Sequence, residues 1–338
     1  MALEDRSQPA LAALRPPPPR TASARRDSAG LRGFARRAGA LLEGRLVGQP
    51  DAVASALRAV RRAAAGLNGR RGPLATMLLV GPTGTGKTEL ARVLADGLGG
   101  PERLLRVDCS EFGNRHETAK LLGAPPGYVG HEQGGFLGRH LGPRECVLLF
   151  DEVEKGHAHL HELLLQVLDE GRLTDGQGRT LDFRRAFVIL TSNAGSRELG
   201  AARERLGFDP HPAGPEAARA TVERALGQAF APEFLARIDE VVLFHELDRA
   251  DLRAVAERAL LELALRVRAS GRRVCFSTAV ARWAAGRAAQ GAHGARDVLR
   301  CLRRDVEGPL AEALLATGEG EWIEVSIRRG RPHLAHTA

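Results

Sequence analysis

Four short apolar runs recur along the first two thirds of the chain: "TMLLV" (76–80), "LLRVDCS" (104–110), "CVLLF" (146–150) and "AFVILTS" (186–192). Each has the length of a strand covered on both faces. Helical periods separate them. "ALLEGRLVGQPDAVASALRAVRRAAAGL" sets Val53, Leu57 and Val60 on one face, and 88–98 reads as a helix ending in a glycine cluster. This alternation predicts an α/β fold, a doubly wound parallel sheet, with "EVVLFHEL" (240–247) as candidate fifth strand. After about residue 246 the pattern changes. "RADLRAVAERALLELALRVRAS" (249–270) is a long amphipathic helix, and "RRVCFS" (272–277) and "WIEVSI" (322–327) alternate as edge strands do, flanking two more helices. A small mixed α/β domain is expected there.

Four segments follow: a basic disordered tail at 1–40, a large domain at 41–246, a small domain at 247–330 and a frayed end at 331–338. The tail reading rests on "RPPPPR", which excludes a helix at that point, and on its Ala, Ser and Arg surroundings. A transit peptide is the rival reading, opposed by Glu4, Asp5 and the proline run.

Composition changes this picture in three places. The net charge of +8 is concentrated: residues 1–40 hold eight arginines against Glu4, Asp5 and Asp27, leaving +3 for the remaining 298 residues. The body is nearly neutral, and no specific nucleic-acid partner is called for. No apolar run reaches the roughly 18 residues of a membrane span. Cys109, Cys146, Cys275 and Cys301 lack paired or C-x-x-C spacing, the usage of a cytoplasmic protein with reduced thiols. Only Lys87, Lys120 and Lys155 are lysine among 49 basic residues.

The chemistry lies at the strand ends. "GPTGTGKT" (81–88) follows a strand and opens a helix, the context of a phosphate-binding P-loop. Gly81, Pro82, Thr83, Gly84, Thr85 and Gly86 form the cradle, Lys87 reaches the phosphates and Thr88 ligates Mg²⁺. "CVLLFDE" (146–152) ends in two carboxylates. In isolation these read as acids solvating a strand end. After a P-loop, Asp151 reads as the second Mg²⁺ ligand and Glu152 as the base that activates water. "TSN" (191–193) ends another strand and offers Asn193 to orient that water. The expected cofactors are ATP and Mg²⁺.

With these motifs in this order the chain resembles the AAA+ ATPases, and within them the second ATPase module of the Clp unfoldases. The resemblance covers about residues 41–330 and rests on "GPTGTGKTELARVLA", "KLLGAPPGYVGHEQGG", "VLLFDEVEKGH", "LLLQVLDEGRLTDGQGRTLDF", "TSNAGS", "PEFLARIDEVVLFHEL", "GAHGAR" and "EGPLAEALL". All three lysines fall inside these stretches. The resemblance implies an arginine finger at Arg237, acting in trans in a hexameric ring. It implies a nucleotide contact from the small domain at Arg296, and an adenine pocket along Val47, Gly48 and Gln49. It implies a substrate-gripping pore loop at Gly127, Tyr128, Val129 and Gly130. Tyr128 is the only tyrosine of the chain, and an aromatic ring grips a polypeptide without selecting its side chains. Leu206, Gly207 and Phe208 are similar to the loop by which some Clp subunits dock on a peptidase, and they also fit an ordinary turn. Ala236 stands where the family usually has asparagine, and the usual proline after "GAR" is missing. About 40 residues precede the ATPase, so substrate selection falls to the tail, an adaptor or the pore. The implied function is ATP-driven threading of misfolded or tagged polypeptides. The alternatives are an AAA+ nucleic-acid or complex remodeller using the basic tail, and a nucleotide-dependent scaffold without turnover.

Overall fold

In a computed structural model, residues 22–68, 71–124, 127, 131–195, 215–316 and 322–337 are described. The chain begins with helices α1 (Ala22–Arg45) and α2 (Pro50–Ala65), then β1 (Ala75–Val80), α3 (Lys87–Leu98) and β2 (Leu104–Asp108). Single turns α4 (Ala119–Leu122) and α5 (Phe136–His140) precede β3 (Cys146–Asp151) and α6 (Ala158–Glu170). A hairpin of β4 (Arg172–Thr174) and β5 (Thr180–Asp182) leads to β6 (Ala186–Ser192), α7 (Pro215–Ala229), α8 (Pro232–Leu235) and β7 (Glu240–Leu243). The C-terminal part holds α9 (Arg249–Ala269), β8 (Arg273–Phe276), α10 (Thr278–Ala288), α11 (Ala295–Leu302), α12 (Gly308–Ala316), β9 (Trp322–Arg328) and β10 (Arg331–Thr337).

The five-stranded sheet is parallel, in the order β2-β3-β6-β1-β7. Every residue of β1, β3 and β6 is buried, which is why they read as apolar runs. Successive side chains serve opposite faces. Leu78, Val80, Leu148, Phe150, Val188 and Leu190 join one core with α6 and α7. Met77, Leu79, Val147, Leu149, Phe187 and Ile189 join the other, with α1, α2 and α3. The predicted fifth strand is present on the far side of β1, shorter than expected. Cys109 and Ser110, expected at the end of the second strand, open a 3₁₀ turn (Cys109–Phe112) that Asp108 caps by accepting from the Ser110 N–H.

Two boundaries and one strand position are corrected. Residues 22–40 are helical, not tail: Leu31, Phe34, Ala38 and Leu42 recur at helical spacing and are buried against the sheet domain. Phe34 crosses α3 at Gly97, where an added Cβ would lie 2.0 Å from its ring. The proline run lies outside the described residues. Residues 331–337 are not frayed: β10 pairs antiparallel with β9, which also pairs parallel with β8. So β9 is the middle strand of its sheet, not an edge. The small domain has its own core, centred on Leu252, Leu260, Ala284, Val298, Val306 and Ile323. Among the described residues, no helix is long and apolar enough to cross a membrane.

Candidate functional site

The strand order puts a topological switch at β1. The chain leaves it for the far edge, returns through β2, β3 and β6, and then adds β7 on the other side. The carboxyl ends at such a switch are where a ligand crevice forms. The P-loop follows β1, Asp151 and Glu152 end β3, and Asn193 follows β6. These are three neighbouring strands, and a cavity of about 430 Å³ opens at their ends. Val47, Thr83, Gly84, Thr85, Gly86, Lys87, Thr88, Asp151, Glu152, Asn193 and Arg296 line it.

The P-loop geometry suits an anion. The twelve-residue helix α3 starts at Lys87, and the N–H groups of its first turn have no partner within the helix. Gly84 has φ +79, and a Cβ there would fall 1.9 Å from the His293 carbonyl oxygen. Only glycine lets the small domain approach so closely. The Lys87 ammonium donates to the carbonyls of Gly81 and Pro82 and, at 2.9 Å, to Asn193 Oδ1. Burial lowers its pKa to about 8, against the opposing pull of Asp151 and Glu154.

Around the acids the structure supplies partners that the motifs did not name. Thr191 Oγ1 donates to Asp151 Oδ1 and accepts the Glu152 N–H at 3.0 Å. Arg106 pairs with Asp151 Oδ2 at 2.7 Å. Glu152 has φ 56, a left-handed conformation rare outside glycine. Its carboxylate pairs with Lys155 at 2.5 Å, which raises the pKa of that lysine. Asn193 Nδ2 approaches Glu152 Oε1 at 3.5 Å, and the Asn193 N–H donates to Glu154 Oε1. The hydroxyl of Thr88 and the carboxylate of Asp151 are hard oxygen donors on one cavity wall, the ligand type Mg²⁺ takes. Thr191 appeared in the sequence as part of "TSN". Arg106 carried no signal beyond an arginine in a strand, because its role depends on β2 lying beside β3.

Other expected residues lie elsewhere. Gly48, Gln49, Gly81 and Pro82 do not line the cavity. Gln49 is buried and exchanges two hydrogen bonds with the His245 backbone, tying α2 to the segment after β7. Arg237 pairs with Asp169 at 2.9 Å beside Pro73 and Thr76, at the opposite end of β1 from the P-loop. A strand of six residues separates these ends by roughly 20 Å. Of the pore loop, Gly127 has φ +88, whereas Tyr128, Val129 and Gly130 lie outside the described residues. So do Leu206, Gly207 and Phe208.

A P-loop sheet with an acid pair, a polar strand tip and a small domain against the phosphate cradle defines an AAA-type nucleotide site. The family described as the AAA domain (Cdc48 subfamily) matches residues 72–241, and the C-terminal, D2-small domain of ClpB protein matches 247–325. The chain belongs to the AAA family, as an ATPase module joined to a Clp-type small domain. It is 41% identical over 290 residues to the ATP-dependent Clp protease ATP-binding subunit ClpC of Staphylococcus saprophyticus, and 42% identical over 288 residues to the chaperone protein ClpB of Rhodopirellula baltica. Each match takes in 85% of this chain but 35% and 32% of the relative, so the chain spans about a third of the length of these curated relatives.

Proposed function

We propose that this protein hydrolyses ATP to thread polypeptides, as an unfoldase or disaggregase of Clp type working in a hexameric ring in the cytoplasm. The observation that carries the reading is the connected set Lys87–Asn193–Glu152 at the ends of adjacent strands, with Arg237 too far away to serve the same cavity. The α3 N-terminus and Lys87 bind the phosphates. Thr88 and Asp151 would hold Mg²⁺, which when bound neutralises charge on the transferred phosphoryl group. Thr191 and Arg106 orient the Asp151 carboxylate from both sides. Glu152 takes the proton of the attacking water and Asn193 orients that water. Arg296 reaches the nucleotide from the small domain, and Arg237 serves the neighbouring subunit. Tyr128 and its flanking residues grip the client. Leu206, Gly207 and Phe208 are candidates for peptidase docking.

The test is Glu152→Gln. It removes the base and spares Lys87, Thr88 and Asp151. ATP binding and ring assembly are expected to persist, hydrolysis to stop, and an unfolded model polypeptide to stay bound in the presence of ATP, as read by gel filtration. Loss of nucleotide binding overturns the role of Glu152. Binding without retention of polypeptide overturns threading.

A further inference from the structure

The small domain meets the large one at both ends of the cavity, by different means. At the phosphate end the contact is backbone to backbone: the Ala295 N–H donates to the Gly84 carbonyl at 3.0 Å. At the other end, beside Leu46 and Val47, the contact is made by side chains, and one of them hydrogen-bonds to two helices of the large domain. Arg258, on α9, lines the cavity wall and is 28% exposed. One terminal nitrogen donates to the carbonyl oxygen of Arg45, in the last turn of α1, where carbonyls lack helical partners. The other donates to Glu89 Oε1 at 3.2 Å, and Nε donates to Glu262 at 3.0 Å. Glu89 directly follows Thr88 in the first turn of α3, and it also accepts from Arg45. One guanidinium therefore joins α9 to the two helices that border the mouth of the cavity. Three of its donors are held by protein acceptors, which fixes the guanidinium at the cavity mouth.

We propose that Arg258 is the latch of the nucleotide site. It holds the small domain closed over the end of the cavity away from the phosphates and sets how long a nucleotide stays. The inference rests on reading this cavity as the nucleotide site. Arg258 touches neither the acid pair nor the P-loop lysine, so it is a positioning residue that acts on residence and not on bond breaking. A hydrogen bond to a charged partner, lost at the exit, corresponds to about tenfold in a dissociation rate.

The experiment compares wild type, Arg258→Ala and Arg258→Lys as full chains, with stopped-flow release of a fluorescent ADP analogue and steady-state ATP hydrolysis. The expected result for Arg258→Ala is about tenfold faster release and a KM raised by a similar factor, with kcat within about twofold. Arg258→Lys, which keeps one charged donor, recovers part of the loss. Unchanged release from a folded Arg258→Ala protein overturns the latch. So does a fall in kcat at unchanged KM, which would mean that the residue serves chemistry. If Arg258→Ala fails to fold, Arg258→Lys carries the test: a partial increase in release supports the latch, and wild-type release and KM in that variant overturn it. Failure of the wild type to bind the analogue would instead refute the nucleotide reading, leaving the two outcomes distinct.

Discussion

Thr191 is the residue whose role changes most between chain and structure. Its hydroxyl bridges two functions, donating to the Asp151 carboxylate and accepting the Glu152 N–H. It thereby fixes the left-handed turn that carries Glu152 off the strand. Thr191→Val keeps the shape and deletes both bonds. It is expected to cost about 1–3 kcal/mol in urea denaturation and to lower ATP turnover more than nucleotide affinity. Unchanged stability and turnover would show that the bridge is idle. Lys87, Thr88, Asp151, Glu152 and Asn193 were legible because each is the end of a local pattern: a strand, then a short polar signature. Arg106 and Arg258 were not, because 46 arginines look alike until the strands and domains are set side by side.

Among elements, α1 shows how a compositional reading fails. Arginine and small residues dominate its sequence, yet Leu31, Phe34, Ala38 and Leu42 follow a helical repeat and all are buried. The stripe packs into a core shared with α2, α3 and β1, and Gly97 of α3 leaves the room that Phe34 fills. Phe34→Ala is expected to destabilise the large domain by about 3–5 kcal/mol in chemical denaturation. A loss below about 1 kcal/mol would mean that α1 is not part of the folded core, since burial in a packed site sets this cost. The central strands gave no such difficulty: burial on both faces forces an unbroken apolar run. The alternation of β9 predicts an edge strand, but alternation reports one exposed face, not how many neighbours pair along the strand.

At the scale of the whole molecule, Arg237 and the P-loop occupy opposite ends of β1. If Arg237 is the proposed finger, this geometry has it serve another subunit. Arg237→Ala alone is expected to bind ATP normally and lose roughly 10³-fold in turnover. Glu152→Gln alone is inactive for a different reason. Mixed together they should recover hydrolysis, because an intact site in an Arg237→Ala subunit can receive the finger of a Glu152→Gln neighbour. A mixed assembly with no recovered activity would place Arg237 outside the catalytic interface. The parallel strands, the glycine-rich loop, the acid pair and the polar strand tip are legible in the chain, because each depends on residues adjacent in it. The tertiary structure decided which of the many arginines belong to the site, how α1 joins the core and where the small domain closes. Those are contacts between segments far apart in sequence, and a local pattern carries no record of its distant partner.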